Sequence, residues 1–475
     1  MNTNNENDIT KSGDALSGEK PPVIPEAAYL PDSIPIGEKP PVIREAAYLP
    51  DSIPIGTVPI VPESPFIPDS IPVGAGQPTH MSDSEVIAHT AGVWQYKEIS
   101  DDGTEQHSEF HQKRIEKPYG EIVAARVRGK KHKHEGTNCD DFFECAMTDD
   151  FAICVVCDGA GSKRLSRIGA RVCSETAVSF LKEVLEQMFV AFPEVKAGLA
   201  ADMQSAEFMD SCTKIVMQLQ ESVRKGFEAQ KQKLSEIEND EAYISALGRS
   251  PVLSDLSATF LAAVVIPLEI GGKRSSFMAS VQIGDGCICA IDSSADAEHC
   301  FKLMGEADSG KFSGETDFIS DRNTDPAALA GRTRVSRGES DVIMLMSDGV
   351  ADDYFPVTSM MKRLYLDLCL NNILPAEGEH SEAKEPAPLT YASVSAKREN
   401  VALQYAKQLI KDSTEDEVNA LWNRKSELFC HSLEAYEIAL GDTPEERLRV
   451  WLDNYNERGS FDDRTLAVIR LFPQQ

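Results

Sequence analysis

No stretch of this chain of 475 residues is apolar for long. The longest run, Phe260 to Leu268, is interrupted by Pro267 and falls far short of the roughly 20 residues that a membrane span needs. Positive charge is scarce as well, with 47 Lys and Arg against 77 Asp and Glu, a net charge of −30. Long-range repulsion then disfavours duplex nucleic acid or an anionic membrane as the main partner, and makes cations the natural small one. The opening residues, MNTNNENDITKSGD, lack the apolar centre of a signal peptide, so a cytoplasmic protein is expected. The eleven cysteines are an odd set without framework spacing, as reduced thiols would be, and the nine histidines show no ligand spacing. A hydrophobic fraction of 41% can still fill a sizeable core.

Proline is concentrated near the start. GEKPPVIPEAAYLPDSIPI (18 to 36) recurs as GEKPPVIREAAYLPDSIPI (37 to 55) and degenerates into GTVPIVPESPFIPDSIPV (56 to 73), a period of 19 residues. Each Pro removes a donor and fixes φ, so neither a helix nor a central strand is expected. Residues 1–84 are read as a disordered, extended tail. It is either a spacer or a docking arm that offers Tyr29, Tyr48 and Phe66 to a partner groove.

A globular domain is expected over 85–475. Strand-like runs fall at Ile122 to Val127, Phe151 to Cys157, Thr259 to Ile266, Phe277 to Ile283, Asp341 to Met346 and Thr465 to Leu471. One helical stripe carries Leu165, Ile168, Val172, Phe180, Leu181, Val184 and Met188. Another carries Phe208, Cys212, Ile215, Leu219, Val223 and Phe227. Strands and helices cluster rather than alternate, which favours α+β layers. Ala376 to Pro388 reads as a flexible loop. Thr414 with Glu417, and Thr443 with Pro444 and Glu446, start helices that carry Trp422 and Trp451, a helical insertion over about 357–456.

The chemistry is suggested by carboxylates at strand ends. FAICVVC leads into Asp158-Gly159, SVQIG into Asp285-Gly286, and DVIMLMS into Asp348-Gly349. Asp462-Asp463 precedes TLAVIRL, and Asp140-Asp141 follows the loop after Arg128. A single Asp-Gly pair is a turn signal. Gathered at one rim of a sheet, these carboxylates would repel one another unless a divalent cation neutralised them. Oxygen donors suit Mg²⁺ or Mn²⁺ and argue against zinc. Two such ions about 4 Å apart would suit phosphoester hydrolysis. Cys154 and Cys157 lie inside an apolar strand and read as packing thiols.

In this order the motifs resemble the metal-dependent protein serine/threonine phosphatases of type 2C. The resemblance is carried by GTNCDDFF (136 to 143), VVCDGAGS (155 to 162), LSATFLAAVV (256 to 265), VQIGDG (281 to 286), MLMSDGVADD (344 to 353) and FDDRTLAVI (461 to 469), spread over roughly 120 to 472. It implies a four-layer α-β-β-α sandwich with two central antiparallel sheets and ions at one end. It also implies Asp158 as the carboxylate that bridges two ions, a carbonyl contact from Gly159, and Asp348 and Asp462 on the second ion. Asp140 and Asp141 would act largely through metal-bound waters. Asp285 and Asp352, with Asp348, match the positions of a weaker third ion. Asp141, Asp158, Asp348 and Asp462 are then the catalytic set. The implied reaction is direct attack by metal-activated water on phosphoserine or phosphothreonine of a phosphoprotein, with no phosphoenzyme.

Two positions depart from the family pattern. Ala160 stands where many relatives have a His that protonates the leaving oxygen, and Gly136 stands where they have a phosphate-clamping Arg. Arg128, Lys131 and His132 of RVRGKKHKH are the nearest candidates for phosphate binding; their other reading is a solvated basic loop. The alternative function is a pseudophosphatase or adaptor that holds a partner through the tail and the helical insertion.

Overall fold

The computed structural model describes residues 95–293, 295, 300–307, 316–370, 373–374, 442–454 and 461–472. The Pro-rich repeats, the loop at 376–388, the helix expected after Thr414 with its Trp422, and the lysines and acids between them lie outside the described residues.

In chain order the elements are β1 (Phe110–Lys117), β2 (Gly120–Val127), α1 (Lys130–Glu135), β3 (Phe142–Met147), β4 (Ala152–Cys157), α2 (Ser166–Ala191), α3 (Glu194–Leu199), α4 (Ala206–Ile237) and α5 (Glu241–Leu247). There follow β5 (Phe260–Ile270), β6 (Lys273–Ile283), β7 (Cys287–Ile291), β8 (Phe301–Leu303), α6 (Pro326–Arg332), β9 (Thr333–Gly338), β10 (Val342–Met346), α7 (Asp348–Ala351), α8 (Val357–Leu370), α9 (Pro444–Asn454) and β11 (Arg464–Leu471). They form one antiparallel sheet in the order β1-β2-β11-β10-β7-β8 and a second in the order β3-β4-β5-β6-β9.

The two sheets stack face to face. In β4, Ala152, Cys154 and Val156 face the other sheet and meet Ile343, Leu345, Ala467 and Ile469. The alternate residues Ile153, Val155 and Cys157 face α2 and α4. Side chains alternate across a strand, so a strand covered on both faces reads as an unbroken apolar run. Each such aliphatic side chain contributes about 1.5–3 kcal/mol by burial. Helices α8 and α9 cover the outer face of the six-stranded sheet. The result is the expected α+β four-layer α-β-β-α sandwich. Cys154 and Cys157 are buried on opposite faces of β4, against Cys145 and Cys173 respectively, as packing thiols.

Local signals account for the helices. Ser205 caps α4 by accepting from Phe208 N at 3.1 Å, and Phe208, Cys212, Ile215, Leu219, Val223 and Phe227 are all buried. In α2 the expected stripe holds in part. Leu165, Ile168 and Leu181 are fully buried, while Val172, Phe180, Val184 and Met188 are only partly buried and Ala170, Cys173, Ala177 and Leu185 share the deep face. Small residues there let this helix approach both the sheet and α4.

Thr443 and Glu446 form the expected reciprocal cap of α9, with Glu446 N donating to Thr443 Oγ1 at 3.4 Å and Thr443 N to Glu446 Oε2 at 3.3 Å. Leu448, Trp451 and Leu452 of α9 are buried over the sheet. The segment read as an insertion is therefore bounded by α8 and α9, which belong to the outer helical layer. No helix among the described residues is long and apolar enough to cross a membrane.

Candidate metal and phosphate site

Antiparallel register brings the carboxylates to one end of the sandwich. Phe142 pairs with Cys157, so Asp141, before β3, and Asp158, after β4, leave the sheet side by side. Met346 pairs with both Leu466 and Cys287, which puts Asp348, Asp462 and Asp285 at the corresponding end of the other sheet. Val127 pairs with Arg464, so the chain enters Arg128 to His132 at the same end. The three Asp-Gly pairs are not hairpin turns. Gly284 to Gly286 links β6 to β7 across the two sheets, Asp348 opens α7, and Asp158-Gly159 leads toward α2.

The two sheets are tied together at Asp141. This buried carboxylate accepts from Ser347 Oγ at 2.7 Å and from Thr465 Oγ1 at 2.6 Å. Asp158 is held by its backbone: its N–H donates to Thr259 Oγ1 and its carbonyl accepts from Thr259 N, each at 2.8 Å. Its side chain lies beside that of Asp348. Thr316 donates to Asp285.

Crowding of like charges dominates the electrostatics. Burial, reinforced by the charges of Asp348 and Asp141, holds the Asp158 carboxyl well above the usual range. Burial raises Asp348 to about 7, against its contact with Asp158 and with help from Asp285, Asp462 and Asp352. Asp141 is pushed up to about 8 by burial and Asp463, although its two hydroxyl donors work the other way. Asp140 rises to about 7 through burial and Asp463, opposed by His132. Asp352 is raised by burial, then by Asp285 and Asp353. Asp140, Asp141, Asp158, Asp285, Asp348, Asp352 and Asp462 thus form one interacting group.

Asp463 and His132 border this group. Asp463 is buried and accepts from Gly129 N at 2.6 Å and Asp140 N at 2.5 Å, with His132 Nδ1 2.9 Å away. Burial disfavours its charge, yet His132 and these N–H groups hold it below its ordinary value. Burial likewise disfavours a charged His132, but Asp463, Asp140 and Asp462 together raise it to about 9. Gly129 lies so close to Asp462 that a Cβ would sit 2.2 Å from the Asp462 carbonyl carbon. Only glycine permits this approach of the two loops.

The candidate phosphate residues have different placements. Arg128 is fully buried. Its guanidinium donates to Glu109 Oε1 at 2.7 Å, the Lys97 carbonyl at 2.9 Å and the His132 carbonyl at 2.8 Å, so it holds the segment together. Lys131 is partly exposed and anchored through its backbone N–H to the Phe461 carbonyl at 2.9 Å. His132 is buried and faces the carboxylates. Gly136 ends α1 in the left-handed region at φ 79°, a conformation that an arginine would adopt only with strain. Ala160 is buried, its N–H donating to the Ser257 carbonyl at 3.0 Å.

Sequence reasoning grouped Asp463 with Asp462 but did not assign it a role, and it passed over Ser347 and Thr465. The doublet was the available signal for Asp463. A lone Ser and Thr flanking apolar strands carry no comparable signal.

The donor set fits hard divalent cations. Seven carboxylates without enough local cations are the arrangement that Mg²⁺ or Mn²⁺ neutralises, and His132, Asp462 and Asp463 offer ligand atoms within 4.8 Å of one another.

The family model for protein phosphatase 2C matches residues 128–374. The chain belongs to the protein phosphatase 2C family, which makes it a protein serine/threonine phosphatase of a Mg²⁺- or Mn²⁺-dependent class. Solved structures similar to it include serine-threonine phosphatase 2C from Toxoplasma gondii, at 12% identity over 76% of this chain and 99% of that one, with a TM-score of 0.33. Another is the serine/threonine phosphatase Stp1 from Staphylococcus aureus, at 11% identity over 80% and 98%, with a TM-score of 0.30. A third is described as a bacterial serine phosphatase, at 11% identity over 75% and 100%, with a TM-score of 0.31. No curated protein matches.

Proposed function

We propose that this protein hydrolyses phosphoserine and phosphothreonine in a phosphoprotein by direct attack of water, using two divalent ions held at the carboxylate end of the sandwich. The observation that carries this reading is the convergence of seven carboxylates from five segments, with Asp158 and Asp348 side by side at the centre. Asp158 would bridge the ions, Gly159 would offer its carbonyl, and Asp348 and Asp462 would complete the second position. Asp140 and Asp141 would act through water, and Asp285 and Asp352, with Asp348, would hold a weaker third ion. Such ions supply Lewis acidity and lower the pKa of water.

The chain's own residues position and protonate. Asp158 and Asp348, whose carboxyls are both raised by burial and by neighbouring acids, would give up their protons as they take up an ion. Ser347 and Thr465 orient Asp141 toward the same centre. The partly exposed Lys131 is the basic side chain proposed to meet substrate phosphate. Residues 1–84 are proposed as a tail with its own protein partner, 85–475 as the catalytic domain, and the cytoplasm as the location.

The test is release of phosphate from a phosphopeptide panel with and without manganese, in wild type and Asp158→Asn. Manganese-stimulated release that the substitution reduces to background is expected. The buried Ala160 at the position of the family's general acid favours one rival, a partner-holding pseudophosphatase. Absence of turnover by folded protein with either metal would establish that rival instead.

A further inference from the structure

The sequence offers no histidine at ligand spacing, yet the fold buries one against the carboxylates. His132 is 3% exposed. Its Nδ1 lies 2.9 Å from Asp463 Oδ1, an ion-pair contact, and its Nε2 faces Asp140 and Asp462. Nε2 is 3.9 Å from Asp140 Oδ2 and 4.0 Å from Asp462 Oδ1, too far for a hydrogen bond to either. Two atoms bound to one small divalent ion can be at most about 4.2 Å apart, twice a 2.1 Å bond, so the separation from Asp462 is compatible with a shared ion, and His132, Asp462 and Asp463 offer ligand atoms within 4.8 Å of one another. Asp463 is itself held by Gly129 N and Asp140 N, so the carboxylate beside the ring is fixed in place. A carboxylate on one ring nitrogen and an open second nitrogen aimed at acidic oxygens is the usual support of a metal-bound histidine.

We propose that His132 Nε2 is a nitrogen ligand to a divalent cation held jointly with Asp462, with Asp463 beside the other ring nitrogen and Asp140 acting through water. The inference rests on the metal-dependent reading above. It changes the donor set expected from sequence, which was oxygen alone. An imidazole donor favours Mn²⁺ and later transition metals over Mg²⁺.

The test is pulsed electron paramagnetic resonance of the full chain loaded with Mn²⁺ alone. Nitrogen-14 modulation is expected in the wild type, converted to the nitrogen-15 pattern when only histidine is isotopically labelled. His132→Gln, checked for folding by circular dichroism, is expected to abolish the coupling and weaken Mn²⁺ binding by at least about 10-fold, with a smaller change for Mg²⁺. Tight Mn²⁺ binding without histidine nitrogen coupling, or coupling that persists in His132→Gln, would overturn the assignment and leave the metal-dependent reading intact. Failure of the wild type to bind Mn²⁺ would overturn both. If the variant does not fold, the labelled wild type decides alone.

Discussion

Ser347 donates its hydroxyl to Asp141 Oδ2 across 2.7 Å, joining a residue that follows β10 in one sheet to one that precedes β3 in the other. Ser347 Oγ also accepts from Thr465 N at 3.1 Å. The same atom thus locks the strand ends that carry Asp348 and Asp462 to the loop that carries Asp140 and Asp141. Ser347→Ala is expected to cost about 1–3 kcal/mol, because a buried carboxylate and a buried N–H each lose a partner. Denaturant unfolding measures the cost; an unchanged midpoint would show that the lock is dispensable.

The metal-free protein should lose stability as pH rises from about 4 to about 8. Asp140, Asp141 and Asp348 have folded values raised to about 7, 8 and 7, so the folded state binds more protons than the unfolded chain in that window. His132, raised to about 9, adds to the same slope: its contribution is complete below its ordinary value of 6.5 and is lost as pH climbs through 9. Asp463, held below its ordinary value, contributes only to acid unfolding, below about 4. Melting temperatures across pH, with and without Mn²⁺, check this. Manganese should flatten the slope and stabilise most at the alkaline end.

Arg128 and Lys131 should respond differently to substitution. Arg128→Met removes a buried guanidinium from Glu109 and two carbonyls and is expected to cost about 3 kcal/mol of stability. Lys131→Ala should leave the melting temperature unchanged and raise KM for a phosphopeptide. A pure KM effect at Arg128 would restore it as a phosphate clamp.

Trp451→Ala is expected to destabilise the domain by about 3–5 kcal/mol, since the ring is buried beside Tyr354 over the six-stranded sheet. Excising 376–456 would therefore remove part of a core layer. Excising 376–441 keeps α9, and a segment that sets substrate choice should change the phosphopeptide preference when removed; an unchanged preference in that variant would dismiss such a role.

Much of the fold was readable because a strand covered on both faces needs an unbroken apolar run. FAICVVC, FLAAVVI and VIMLM announced β4, β5 and β10 by composition alone. The strands without such runs went unread. Edge strands β1 and β9, FHQKRIEK and TRVSRG, meet a neighbour on one side only and tolerate charge. In α2 the buried face was read in part, through Leu165, Ile168 and Leu181; Ala170, Cys173 and Ala177 were missed because close helix packing selects small residues there.

The carboxylates were legible for a local reason: an acid placed directly beyond a strand's last apolar residue must sit at the sheet's rim. Which partners each acid meets was a tertiary matter. Nothing in RVRGKKHKH distinguishes a buried anchor, Arg128, from a solvent-facing Lys131 and an inward imidazole, His132. Their burial depends on Glu109 and on Asp463, far away in the chain, and only the closure of the two sheets brings those charges close enough to set the roles.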